Sequence, residues 1–121
     1  MDRDDEVLQS VSKLLRDNNI NFWACHGTLL GIIRENRLLP WDRDIDLAVW
    51  DYETDRNHVA QIFEDAGFKQ EYFFADVDSL HFHRVGKNID INFFKTAVVL
   101  RPLTNRVYNM SFKFFVFIIF I

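Results

Sequence analysis

The stretch His26–Val49, HGTLLGIIRENRLLPWDRDIDLAV, decides how the chain is read. It opens with Gly27-Thr28, continues through the apolar Leu29, Leu30, Ile32 and Ile33, and ends on three aspartates spaced by two, Asp42, Asp44 and Asp46. Side chains two apart on an extended strand share one face, roughly 6 to 7 Å apart along the chain, so Asp44 and Asp46 can converge on one cation. Ile45, Leu47 and Val49 alternate with Asp44, Asp46 and Ala48, which predicts a half-buried strand with carboxylates on its open face. At the other end, a glycine lets backbone approach a ligand, and the N–H groups of a helix start favour an anion. Gly27-Thr28, read as a turn ahead of a brief helix over residues 29–34, is therefore a candidate phosphate-binding element. The two ends together suit a nucleotide phosphate chain held between that turn and cations on Asp44 and Asp46, with Arg34 as a further phosphate contact. Taken singly, a Gly-Thr pair is usually an ordinary turn and paired surface aspartates are usually only solvated; their proximity carries the reading.

Working outward, Val7, Leu8, Val11, Leu14 and Leu15 follow the spacing of one helix face, with acidic residues at the start and Asp17-Asn18-Asn19 as a polar stop. Asn21 to Cys25 is a short aromatic and apolar strand that delivers Gly27 to its turn. Glu35-Asn36-Arg37 is turn-like, and Pro40 disfavours a helical Leu39, so the chain runs extended through Trp41. Glu53 to Gly67 carries Val59, Ile62, Phe63 and Ala66 on one side and reads as an amphipathic helix covering the sheet. Three strands follow, over residues 68–74, 80–85 and 88–94, with 76–79 and Gly86-Lys87 as turns and the last pair forming a hairpin. In the last strand Asp90 alternates with Ile89 and Ile91. Because paired strands lie ~4.8 Å apart, Asp90 joins Asp44 and Asp46 if the two strands are neighbours.

A chain of 121 residues forms one domain with a real core, and 49% apolar with 26% charged residues is a soluble globular composition. The net charge of −4 argues against a nucleic-acid surface, which would show a basic patch. Cys25 is the single cysteine, so no internal disulfide forms, and with no basic, apolar leader in MDRDDEVLQ the expected setting is reducing and cytoplasmic. Association with the Golgi or ER is the expectation if the chain belongs to a longer protein. Adjacent strand residues point to opposite faces, so Cys25 and His26 are not a catalytic dyad. Five of the thirteen phenylalanines fall in the last ten residues. That apolar run, over residues 111–121, is shorter than the ~20 residues a bilayer-spanning helix needs. A buried last strand, the cut end of a longer protein and membrane contact are its competing readings.

The residues HGTLLGIIRENRLLPWDRDID resemble the signature of the LicD family, which includes the fukutin-related proteins, within the DNA polymerase beta-like nucleotidyltransferase superfamily. The similarity is tight over these residues and looser from Asn21 to Phe94. It implies an α+β fold, a mixed sheet with flanking helices of nucleotidyltransferase type, with residues 1–101 as its core and 102–121 as an apolar tail. It also implies transfer of a phosphorylated alcohol, such as phosphocholine or ribitol phosphate, from a nucleotide diphosphate-linked donor to a glycan acceptor. On this resemblance Gly27 and Thr28 match the turn holding donor phosphate, and Asp44 and Asp46 match the metal-binding pair. Asp90 matches a third carboxylate that binds metal and activates the acceptor hydroxyl. The implied cofactor is Mg2+, with Mn2+ as a substitute.

Two readings of other kinds compete. Asp42, Asp44, Asp46 and Glu53 occupy the first, third, fifth and twelfth places of a calcium-binding EF-hand loop, although Leu47 stands where that loop needs glycine. A catalytically inactive nucleotide-binding fragment or regulatory module would need only the turn and one or two carboxylates, so Asp90 favours an enzyme ancestor, which an inactive module can share. His81 and His83 share a strand face, yet no third ligand accompanies them, and solvated or core-edge histidines are the simpler reading. Trp41 suits either base stacking or the core, and Arg37 is a weaker phosphate contact than Arg34.

Overall fold

The computed structural model of the chain describes residues 6–72 and 78–95, together with the backbone of 98–99 and 108–109. Helix α1 (Glu6–Asp17) leads into strand β1 (Phe22–Ala24), helix α2 (His26–Glu35) and strand β2 (Asp44–Trp50). A 3-10 turn (Asp51–Glu53) and helix α3 (Arg56–Asp65) follow, then strands β3 (Lys69–Glu71), β4 (Ser79–Arg84) and β5 (Lys87–Phe94). The five strands form one mixed sheet in the order β1-β2-β5-β4-β3. Only β2 and β5 run parallel; the other three pairings are antiparallel. This is the α+β architecture expected from the sequence. A separate antiparallel pair joins β6 (Val98–Val99) to β7 (Tyr108–Asn109). The remaining residues of the tail over 102–121, including the run over 111–121, lie outside the described residues, as does the distal part of the strand expected over 68–74.

The alternating pattern gives the sheet two unlike faces. Ile45, Leu47 and Val49 of β2, Ile89, Ile91 and Phe93 of β5, and Leu80 and Phe82 of β4 share one buried cluster with Leu8, Val11 and Leu15 of α1 and Val59, Ile62 and Phe63 of α3. Phe63 stacks on Phe82 with ring centroids 4.3 Å apart. Burial of this apolar face fixes the strand register, because a one-residue slip would turn every core side chain outward. The same register turns Asp44, Asp46, Asn88, Asp90 and His81 to the opposite face. There a second, smaller cluster of Trp23, Cys25 and Ala48, with Trp50 and Phe94, occupies the far end of β2 and β5.

Boundaries moved where local capping outweighs periodicity. The helix expected over 53–67 begins at Arg56, because the Asp55 side chain accepts a hydrogen bond from the Asn57 amide and caps it. The β4–β5 turn is Val85-Gly86, not Gly86-Lys87, and both residues take positive φ, +50° and +76°. That is a two-residue hairpin turn whose twist suits the flanking strands, made with a β-branched residue where Asn or Gly is favoured. Helix α1 ends at Asp17 against the polar stop, with Asn19 at φ +57°. Helix α2 stops at Asn36, a left-handed cap whose N–H returns to the carbonyls of Gly31 and Ile32.

Candidate active site on the open face of the sheet

The expected turn at Gly27-Thr28 is instead the first turn of α2, which begins at His26, three residues earlier than periodicity predicts. The apolar run starts at Leu29, so the pattern could not reveal a helical turn made of His, Gly and Thr. Strand β1 gives way to the helix within one residue, and His26 takes φ +52° to make the corner. Thr28 is fully buried. Its hydroxyl accepts from the Asp46 amide at 2.8 Å and donates to the Asp44 carbonyl at 3.4 Å. Strand β1 ends opposite Leu47, and the Cys25 amide reaches the Asp46 carbonyl. Thr28 therefore stands in for the missing strand beyond that point, satisfying the backbone that carries the two aspartates. Its hydroxyl is thus committed to the strand, while its N–H lies at the helix start.

Gly27 is close to a carboxylate already. A Cβ at Gly27 would lie 2.6 Å from Asp42 Oδ2. Asp42 precedes the strand, and its Oδ1 accepts from the Asp44 amide at 3.0 Å, so it folds back toward the start of α2. Of the three evenly spaced aspartates, two belong to β2 and one does not. Arg34 sits in the last turn of α2, roughly 10 Å along the axis from Gly27 at 1.5 Å per residue. One helix thus separates these two candidate phosphate contacts. Arg37 pairs with Glu35 at 3.3 Å.

Parallel register sets Asp46 directly opposite Asp90, and Asp44 opposite Asn88. The condition set on Asp90 by the sequence is met: its strand is the neighbour of β2. The pKa of Asp46 is raised from the ordinary 3.8 to about 7. Burial is the largest cause, followed by the charge of Asp90, a hydrogen bond with that carboxyl group, and the charges of Asp44 and Asp42. Asn88 Nδ2 donates to Asp44 Oδ1 at 3.0 Å, and His81 Nδ1 lies 2.6 Å from Asp90 Oδ1. Further along, Asn92 accepts from the Ser79 hydroxyl at 2.9 Å and donates to the Leu47 carbonyl at 3.1 Å. Cys25 is buried beside the acidic row; burial and then the charge of Asp46 push its thiol up to about 12, so it is a neutral wall residue and no nucleophile.

Among the described residues, no three His, Cys, Asp or Glu side chains form a ready-made metal cage. The donor chemistry nevertheless fits a hard divalent cation: Asp44, Asp46 and Asp90 offer carboxylate oxygens only, and Asp46 is held above its ordinary range by burial and then by the negative charge of the neighbouring carboxylates. The EF-hand reading fails, because Asp44–Trp50 is strand and Glu53 lies beyond it, accepting from Asn21 Nδ2 at 3.2 Å. An extended strand cannot wrap around one ion. Trp41 is 75% exposed, so it is not a core residue.

His81, Asn88 and Asn92 also bond on this face, beyond the residues that the sequence singles out for a cation or a phosphate. A signal for His81 was present: a two-residue turn at Val85-Gly86 pairs Arg84 with Lys87 and, three steps on, His81 with Asp90. A turn at Gly86-Lys87, one residue later, would not pair them. Beside the acidic row lies an apolar hollow of about 290 Å³ walled by Trp23, Cys25, Leu29, Leu30, Ile33 and Phe94. Among the described residues, no helix is long and apolar enough to cross a membrane.

The nucleotidyltransferase domain model of the LicD/FKTN/FKRP family matches residues 19–117. Ribitol-5-phosphate transferase FKTN of Mus musculus is 37% identical over 95 residues, covering 74% of this chain and 20% of the relative, and that of Homo sapiens is 35% identical over the same length and shares. An uncharacterised protein of Rickettsia prowazekii, RP689, is 34% identical over 70 residues, 55% of this chain and 26% of its own length. The chain thus spans about a fifth to a quarter of the curated relatives it matches. A lincomycin-bound structure of the lincosamide antibiotic adenylyltransferase LnuA superposes with a TM-score of 0.57 at 19% identity, over 86% of this chain and 68% of the other. That likeness shows the nucleotidyltransferase-like fold. With the paired aspartates on β2, the facing Asp90 and a family match that runs through both strands, the chain belongs to the LicD/FKTN/FKRP nucleotidyltransferase-domain family.

Proposed function

We propose that the chain is the nucleotidyltransferase-fold part of a metal-dependent transferase. It would move a phosphorylated alcohol, of ribitol phosphate or phosphocholine type, from a nucleotide diphosphate-linked donor to a glycan hydroxyl. The observation that carries this reading is the face-to-face placement of Asp46 and Asp90 across the parallel pair, with Asp44 one step along the same face. Carboxylates are set against each other at a cost to the fold, which a bound cation would offset.

Asp44, Asp46 and Asp90 would hold Mg2+ or Mn2+. The ion's contribution is to neutralise phosphate oxygens and the charge that develops on them. In the transfer itself, the acceptor hydroxyl oxygen bonds to the phosphorus that carries the alcohol. The bond from that phosphorus to the bridging oxygen breaks, and nucleoside monophosphate leaves with the electron pair. The hydroxyl proton passes to the Asp90 carboxylate, which faces the same side of the sheet. The N–H groups at the start of α2, around Gly27 and Thr28, favour the donor's negative charge. For a phosphate to reach them, the Asp42 carboxylate must swing off Gly27. The apolar hollow, walled by Leu30, Ile33 and Phe94 over the buried Trp23, suits the flat apolar face of a nucleobase.

Calorimetric titration with CDP or CTP, with and without Mg2+, tests the reading, repeated on Asp44→Asn. Binding that requires Mg2+ and is lost in the variant supports it; Mg2+-independent binding, or an unaffected variant, removes the metal site. Because the match spans only about a fifth of the length of its FKTN relatives, a nucleotide-binding module without turnover is the second reading. Mg2+-dependent binding with no transfer to any glycan would favour it.

A further inference from the structure

Each carboxylate of the acidic row is held differently, and the hold on Asp90 is the firmest. His81 and Asp90 are opposed in the β4–β5 ladder. Their Nδ1 to Oδ1 distance is 2.6 Å, and their side chains are only 15% and 25% exposed. With Asp90 ionised, Nδ1–H is the donor, and a bond this short between imidazole and carboxylate belongs to the strong class of hydrogen bonds. It commits one Asp90 oxygen and stops rotation about the Cβ–Cγ bond. On its other side Asp90 faces Asp46, with which it shares a hydrogen bond. The backbone of both partners is fixed by a two-residue turn and by burial of Phe82, Ile89 and Ile91 beneath them. His81 Nδ1 points at the carboxylate and not at the space between the aspartates, so the ring is built to orient a ligand and not to be one.

We infer that His81 is a positioning residue for the cation site: its Nδ1–H fixes the Asp90 carboxylate in the orientation that a divalent cation shared with Asp46 requires. The inference rests on the metal-dependent reading above. Groups that orient metal-binding carboxylates and imidazoles from behind are typically worth 10–100-fold in metal affinity. Asn88, donating to Asp44 at 3.0 Å, acts on the first aspartate in the same sense but from an exposed position, where water can replace it.

Mn2+ alone is the probe, its free concentration read by electron paramagnetic resonance while the chain is titrated. Four proteins are compared: the unaltered chain, Asp46→Asn, His81→Phe and His81→Asn. Phe keeps the ring's bulk and suits a strand but has no N–H; Asn places an amide N–H near the Nδ1 position. The expected result is binding by the unaltered chain, loss in Asp46→Asn, a 10–100-fold weaker affinity in His81→Phe and recovery to within about threefold in His81→Asn. Unchanged affinity in His81→Phe overturns the positioning role and leaves the cation site standing. An Asn variant as weak as the Phe variant overturns it as well, since the hydrogen bond and not the ring is invoked. No Mn2+ binding by the unaltered chain at millimolar concentration removes the cation site and the positioning role together. Thermal melts of all four proteins, without metal, separate weakened binding from a weakened fold.

Discussion

Replacing Asp46 by asparagine should make the metal-free protein more stable, which is the reverse of what a structural acidic residue would do. The Asp46 carboxyl, raised from 3.8 to about 7 by burial and by the surrounding carboxylates, is paid for by the fold whenever it is ionised. At ~1.36 kcal/mol for each pKa unit the ceiling is ~4 kcal/mol. The carboxyl is only half-buried and water screens it, so ~1–2 kcal/mol is the reasonable size. The sign follows from proton binding. Below about pH 4 the group is protonated in both folded and unfolded chains, and the substitution changes little. Between pH 4 and 7 the unfolded chain loses the proton while the folded chain keeps it, so the unaltered protein loses stability as pH rises. Above about pH 7 both forms are ionised and the penalty is constant. Urea melts in EDTA at pH 4.0, 6.0 and 7.5 should therefore show the advantage of Asp46→Asn growing from near zero to ~1–2 kcal/mol, or roughly 5 °C in Tm at neutral pH. A variant no more stable than its parent at pH 7.5, or an advantage independent of pH, would refute the charge argument and with it the physical case for a cation at this place.

Thr28→Val keeps the volume but leaves the buried Asp46 amide without its 2.8 Å acceptor, and should cost ~1–3 kcal/mol in urea melts; a loss below ~0.5 kcal/mol would mean the hydroxyl is not bridging the strand. Gly31→Ala and Gly27→Ala should part company in thermal melts. The first sets a Cβ 2.5 Å from the Arg37 carbonyl oxygen and 3.0 Å from the Leu39 amide, both backbone, and should cost ~1–3 kcal/mol. The second meets only the end of the Asp42 side chain, which can rotate, and should cost less than ~1 kcal/mol; equal losses would contradict this. Val85→Asn relieves a β-branched residue at φ +50° next to Gly86 and should raise stability by ~1 kcal/mol, and no gain in the urea midpoint would mean that the turn is not strained.

The fold was legible where burial dictates pattern. Ile45, Leu47 and Val49 could only belong to a strand with one buried side, and the same alternation put Asp44, Asp46 and Asp90 on the open side before any pairing was known. What periodicity does not encode was lost. Nothing in the spacing distinguishes Gly27-Thr28 as a helical first turn from Gly27-Thr28 as a loop, because the decisive bonds run from the Thr28 hydroxyl to backbone 16 and 18 residues away. Asp42 looked equivalent to Asp44 and Asp46, yet its carboxylate turns back toward Gly27. Spacing likewise does not tell that Arg34 lies in the last turn of the helix whose first turn holds Gly27. For His81 the sequence offers a metal-ligand pattern with His83, and the partnership with Asp90 shows only once the hairpin register is known.

The single parallel pairing also sets the order in which such a site can come into being. The His81–Asp90 contact spans nine residues and closes with a hairpin, an event of the microsecond kind. Opposing Asp90 to Asp46 instead requires β5 to dock beside β2 with α3, β3 and β4 already looped out between them. A loop of that length costs entropy before any contact repays it. The hairpin is therefore expected to form, with its carboxylate already aimed, before the central seam closes against charge repulsion. Divalent cations present during refolding should hasten that closure, so the seam that holds the ion would also be the step at which the ion helps the chain to fold.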